Sequence, residues 1–143
     1  TSKPITIVKH YPLNFVAQTT TKMKTQKITY WITTILISAM MLFSAMLYLT
    51  KAPALADGFK LAQLPLYLLP LLGLAKLLGA VALLVPKWQT LKEWAYAGFT
   101  FVFLGAIWVH LSTSTPFVAP LIALVILFIS YYLRIQLRKV TVA

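Results

Sequence analysis

The chain has 143 residues, 60% hydrophobic and only 10% charged, and it lacks cysteine. Soluble domains carry about 25% charged residues, so the composition argues against a water-soluble globule; without cysteine there are no disulfides, no thiol catalysis and no thiolate metal site. The net charge is +11, but the basic residues flank apolar runs instead of forming a patch with interleaved aromatics, which points away from nucleic acid and towards a lipid bilayer.

Residues 1–27 form a polar, basic, Thr-rich leader with no helical period and no apolar core of signal-peptide type. It reads as a disordered extension. Met23-Lys-Thr-Gln-Lys27 resembles a natural bacterial start, so residues 1–22 are expected to lie upstream of the native chain. Four apolar runs follow. The first, Ile28 to Thr50, carries no charge, and no small-residue cleavage motif marks it for removal. The second, Leu64 to Val85, has Lys76 as its one charge. The third is Ala95 to Leu111, extended at its start to Leu91, and the fourth is Phe117 to Leu133. Spans need roughly 17–25 residues, which all four runs supply. The connections Lys51–Gln63, Pro86–Glu93 and Ser112–Pro116 are short, and short links force neighbouring helices antiparallel. The expected fold is an all-α integral membrane four-helix bundle, up-down-up-down, over residues 28–133, with a basic tail over 134–143. Continuous apolar runs exclude a β-barrel, whose strands alternate.

Orientation follows from the basic residues. Lys3, Lys9, Lys22, Lys24, Lys27, Lys87, Lys92, Arg134, Arg138 and Lys139 fall on one side, against Lys51 and Lys60 on the other. Both termini are therefore expected in the cytoplasm, across a bacterial inner membrane. Trp31, Trp88, Trp94, Trp108, Tyr48, Tyr67, Tyr131 and Tyr132 lie near span ends, as an aromatic belt requires.

Membrane helices pack through small residues, because lipid is as apolar as leucine. In the second span Gly73, Lys76, Gly79 and Ala80 share one face. In the third, Gly98, Val102, Ala106 and His110 recur every four residues, with Gly105 beside them. In the first, Thr34, Ser38, Met41 and Ala45 make a weakly polar stripe. These stripes define the expected interior. Pro65, Pro70 and Pro120 are placed to bend helices and free carbonyls for partners.

Lys76 is the sharpest candidate. A lysine at membrane depth costs roughly 2.5–3.5 kcal/mol on insertion scales, so it calls for a partner or a use. It lies ~14 Å of helix from the basic end, further than its stem can snorkel. A desolvated amine there could anchor an anionic or quinone-like head group, or relay protons. Glu93 is one of two acids. It reads either as the counter-ion of Lys76 or as the last member of a capping box, Thr90-Leu-Lys-Glu93. His110 closes the third span and reads as an interfacial hydrogen-bonding residue. The only other histidine, His10, is on the opposite side, which leaves a buried bis-histidine haem without its second ligand. Asp57 reads as a turn residue. No nucleophile–base pair, metal cluster or phosphate loop appears, so catalytic and metal sites are expected to be absent.

Gly73-Leu-Ala-Lys-Leu-Leu-Gly79, Leu84-Val-Pro86, Leu91-Lys-Glu-Trp-Ala-Tyr-Ala-Gly98, the pair Gly105-Ala106 and the closing His110 resemble the DoxX-like family of small four-helix bacterial membrane proteins. The resemblance covers roughly Ile28 to Arg138. Two departures are visible. Relatives often enter the second span through Phe-x-x-Leu-Gly-x-Pro-x-Tyr; Phe59, Pro65 and Tyr67 match here, but Ala62 and Gln63 replace Leu-Gly. Many relatives carry an acid in mid third span, where this chain has Val102. What the resemblance implies about activity is modest: the family name comes from a subunit associated with quinone-linked sulfur oxidation, other members are tied to oxidative-stress membrane complexes, and most have no assigned activity.

Three readings of function follow. The first is a non-catalytic accessory subunit that associates with itself or with a larger, redox-type membrane complex. The second is a binder of a quinone or similar amphiphile, with Lys76 as polar anchor, Trp94, Tyr96 and Thr100 lining the site, and Glu93 and His110 as further ligand contacts. The third is a small proton-coupled carrier, for which one buried charge and no inverted repeat give the least support.

Overall fold

The computed structural model describes residues 12–142. It is all-α: five helices, α1 (Leu13–Leu49), α2 (Pro53–Leu61), α3 (Leu68–Leu84), α4 (Gln89–Ser112) and α5 (Val118–Val142), with no strand among the described residues. Three of them, α1, α4 and α5, are long and apolar enough to cross a membrane. At 17 residues α3 is shorter, ~26 Å at the usual helical rise.

The inner face of each long helix repeats at alternating spacings of three and four. Tyr30, Thr34, Ile37, Met41 and Ala45 are buried on α1, and Leu69, Gly73, Lys76, Ala80 and Leu83 on α3. Lys92, Tyr96, Phe99 and Phe103 are buried on α4, and Ala123, Leu127, Ser130 and Arg134 on α5. That period keeps one seam turned inward along nearly aligned helices. Accordingly α1 packs on α3 and α5, and α4 packs on the same two. Ser44 meets Lys76 while Leu49 meets Gly73, so α1 and α3 run antiparallel. Glu93 meets Arg134 while Tyr96 meets Ser130, so α4 and α5 do too. The outward faces carry large apolar side chains such as Ile32, Phe43, Phe101, Trp108, Val125 and Phe128. An apolar exterior of that extent belongs in lipid.

Two parts of the sequence reading need correction. Residues 13–27 of the expected disordered leader are helical and continuous with the first span; residues 1–11 lie outside the described residues. Thr20, Thr21, Thr25 and Thr29 each donate a hydroxyl proton to the carbonyl four residues back, a bond that threonine makes on an exposed helix. Second, the connection 51–63 is not a plain loop. Pro53 occupies a first-turn position and starts α2, and Phe59 is buried edge-on against Tyr48, ring centroids 5.9 Å apart.

The prolines start helices rather than bend them. Pro70 and Pro120 sit in the first turns of α3 and α5, where the missing N–H would have no intrahelical partner anyway. Helix ends show the converse economy. After α1, α2 and α4 the chain turns through Lys51, Gln63 and Ser114 at φ 50°, 55° and 54°, with no glycine at any of the three. Each stop is a Schellman pair. Ala52 N–H bonds Leu47 O and Lys51 N–H bonds Tyr48 O; Leu64 to Phe59 with Gln63 to Lys60, and Thr115 to His110 with Ser114 to Leu111, repeat the pattern.

Candidate functional site

Lys76 is buried on α3 at 5% exposure, with its stem on the Gly73–Ala80 seam. Its ammonium donates to Ser44 Oγ at 2.8 Å and stands 3.6 Å from the centroid of the Tyr48 ring. One hydroxyl and one π face, both from α1, therefore hold the charge; desolvated cation–π contacts are worth about 2 kcal/mol or more. The seam is close there because Gly73 lets α1 approach: a Cβ at Gly73 would stand 3.0 Å from Leu49 Cγ and Tyr48 Cβ.

Glu93 is neither a cap nor the partner of Lys76. α4 begins at Gln89, one residue ahead of the expected N-cap Thr90, and no side chain caps it. The carboxylate turns to α5 instead. It accepts from the buried Arg134 guanidinium and, at 3.3 Å, from Arg138. Arg134 also donates to Gln89 O and Oε1 at 3.1 and 2.9 Å, which ties the first turn of α4 to the last turns of α5.

Tyr96 lies one turn deeper. Its hydroxyl is 2.7 Å from Ser130 Oγ, which in turn is 2.8 Å from Thr34 Oγ1. This relay of three buried hydroxyls joins α4, α5 and α1 through the core. Thr100 bonds back to the Tyr96 carbonyl, so its hydroxyl is occupied within its own helix. Trp94 is 71% exposed and faces away from Tyr96, so it lines no interior site. His110 is at the far end of α4, with Nδ1 2.7 Å from Thr115 Oγ1, and shares no contact with Lys76. The expected ligand set is thus dispersed: Lys76 meets α1, Glu93 meets α5, Trp94 faces outward and His110 closes a turn.

The small residues divide in the same way. Gly79 and Ala80 pack inward, and a Cβ at Gly79 would come within 2.7 Å of Phe99 Cζ. Gly98 and Gly105 are exposed and a Cβ on either meets nothing within 4 Å, while Ala106 is half-buried. Aromatic Tyr96, Phe99 and Phe103 fill the inner face of α4 and rotate its glycines outward.

Four buried polar residues stand out that the sequence reading counted only as topology markers, or not at all: Tyr30, Lys92, Ser130 and Arg134. Lys92 is 2% exposed, and its ammonium lies 3.3 Å from Tyr30 Oη and 5.7 Å from the Trp31 ring centroid. The signal for them was the alternating spacing itself, since Lys92-Tyr96-Phe99-Phe103 and Leu127-Ser130-Arg134 continue the core seams to the basic end. Among the described residues no cluster of His, Cys, Asp or Glu could hold a metal.

Apolar outward faces around an apolar core that holds a few buried polar groups define a small α-helical membrane protein. A sequence model of the DoxX-like family matches residues 32–132, and the chain belongs to that family. No curated protein and no solved structure matches the chain.

Proposed function

We propose that the protein is a non-catalytic accessory subunit of the bacterial inner membrane. In this reading α3 spans along with α1, α4 and α5, up-down-up-down, with both termini cytoplasmic. The ten-to-two partition of basic residues supports the orientation, and the ~26 Å length of α3 supports a fourth crossing.

One observation carries the functional reading. Gly98, Phe101, Gly105 and Trp108 form a single outward stripe on α4, with Phe101 and Trp108 at 76% and 74% exposure, and a Cβ on either glycine would face open space. Small residues that a fold does not need, set between protruding rings, suit the close approach of another transmembrane helix. The neighbour is a second copy or a subunit of a larger membrane complex. The interior supports the same conclusion: Thr34, Tyr96 and Ser130 bond one another across three helices, and Glu93 is held by Arg134 and Arg138.

The test is Gly98→Leu/Gly105→Leu. A Cβ at either position meets nothing within 4 Å and leaving glycine favours the helix, so helicity is kept and the thermal midpoint does not fall below the wild-type value. The native mass of the assembly, extracted with its surrounding membrane, falls. An unchanged mass would overturn the reading.

A further inference from the structure

At the basic end a groove of about 390 Å³ opens between α1, the start of α4 and the end of α5. Tyr30 and Trp31 form one wall; Lys92, Arg134 and Arg138 line the rest. Its charge is unbalanced. Three cations face a single nearby carboxylate, Glu93, which Arg134 and Arg138 already share. The chain's other acid, Asp57, bonds Lys60 in α2. Lys92 is therefore buried at 2% exposure with only the Tyr30 hydroxyl and two aromatic faces beside it, and among the described residues no carboxylate bridges it. Burying an ammonium without a counter-ion is costly, so the site is built for an anion that arrives from outside the chain.

We infer that this groove binds the phosphodiester head group of an anionic phospholipid, with Lys92 and Arg138 on the phosphate oxygens and Trp31 along the glycerol. Arg134 has its guanidinium committed to Glu93 and Gln89, so it positions the α4–α5 wall and adds field without needing to touch the ligand. The choice of a lipid follows from place. The groove lies between membrane helices, at the level where Ile28 and Leu91 turn apolar side chains outward, so acyl chains can run down the exterior while the head group enters. Basic pockets between transmembrane helices are suited to anionic head groups, and a volume of this size admits a phosphate with its glycerol. The inference is independent of the accessory role, since it concerns a different face.

Native mass spectrometry of the purified full chain tests it, with phosphatidylglycerol and phosphatidylcholine as probes and excess inorganic phosphate as competitor. Both lipids carry the phosphodiester, but the choline cation of phosphatidylcholine meets the excess positive charge of Lys92, Arg134 and Arg138, so phosphatidylglycerol is expected to bind about tenfold tighter. Lys92→Met loses most of that preference and Lys92→Arg keeps it. Arg138→Gln, at a side chain 58% exposed and safe for folding, weakens binding several-fold. Equal binding of the two lipids, or Arg138→Gln and Lys92→Met both retaining the preference, would overturn the site. Displacement of the lipid by inorganic phosphate would keep the anion chemistry and overturn the lipid as its source.

Discussion

Gly79→Ala and Gly98→Ala are the same chemical change on two packed membrane helices, and the structure gives them opposite signs. In both, replacing glycine by alanine in a helix interior favours the helix by about 0.8–1.0 kcal/mol. At Gly98 nothing opposes that gain, because the new Cβ meets no atom within 4 Å. At Gly79 the new Cβ falls 2.7 Å from Phe99 Cζ and 2.9 Å from Cε1. Carbon atoms settle at roughly 3.5–4.0 Å, so the ring must retreat by nearly an ångström. It has little room, being 3% exposed and packed on Phe103 at 6.4 Å between centroids. Overpacking of that kind costs about 1–3 kcal/mol. The expected result is Gly98→Ala stabilised by up to about 1 kcal/mol and Gly79→Ala destabilised by up to about 2 kcal/mol. Reversible unfolding in mixed micelles measures both, and Phe99→Leu in the Gly79→Ala background should restore part of the loss. Equal shifts of the same sign at the two sites would refute the packing assigned to the α3–α4 seam.

Ser130→Ala strands the hydroxyls of Thr34 and Tyr96. Two interhelical bonds at about 0.6–1.7 kcal/mol each predict a loss of about 1–3 kcal/mol, whereas Thr34→Val/Tyr96→Phe/Ser130→Ala, read in the same unfolding assay, loses less than the single change. Glu93→Gln leaves Arg134 buried without its carboxylate and lowers stability by about 1.5–3 kcal/mol, while Glu93→Gln/Arg134→Met recovers much of it. Ser114→Gly relieves a left-handed backbone and raises the unfolding free energy by up to about 1 kcal/mol once the added freedom of the unfolded chain is subtracted, read as a higher midpoint in the same assay. Lys76→Met removes the insertion cost of a charge whose partners, Ser44 and Tyr48, tolerate its loss; mass spectrometry should find native size and bound lipid unchanged.

Much of the fold was legible in the sequence because lipid imposes so simple a pattern. Long apolar runs, short links and an asymmetry of lysine and arginine mark the α1, α4 and α5 helices, and the motifs around Lys76 and Glu93 carry the family. Helix ends were harder to read. α1, α2 and α4 stop on Lys51, Gln63 and Ser114 in place of the glycine that usually announces a left-handed stop, so α2 was hidden inside a connection. The helical part of the leader was hard to read because residues 13–27 are polar and exposed, with no apolar stripe for hydrophobic periodicity to find. Site residues were the least legible. On α3 the small residues Gly73, Gly79 and Ala80 turn inward, whereas on α4 the aromatic side chains took the core and sent Gly98 and Gly105 outward. Lys92 and Arg134 look like topology markers in sequence, and only tertiary burial shows that they enter the core. Glu93 was read as a cap or as the counter-ion of Lys76, and helix register, which sequence spacing alone does not fix between helices, set it against Arg134 and Arg138.

The central claim is that the outward Gly98–Trp108 stripe of α4 meets another membrane helix. A photo-cross-linking side chain placed at Phe101 in native membranes tests it, with Phe43, exposed on α1, as the matched control. The account predicts a discrete protein adduct from position 101, abolished by Gly98→Leu/Gly105→Leu, and lipid adducts alone from position 43. Lipid adducts alone from both positions would contradict it.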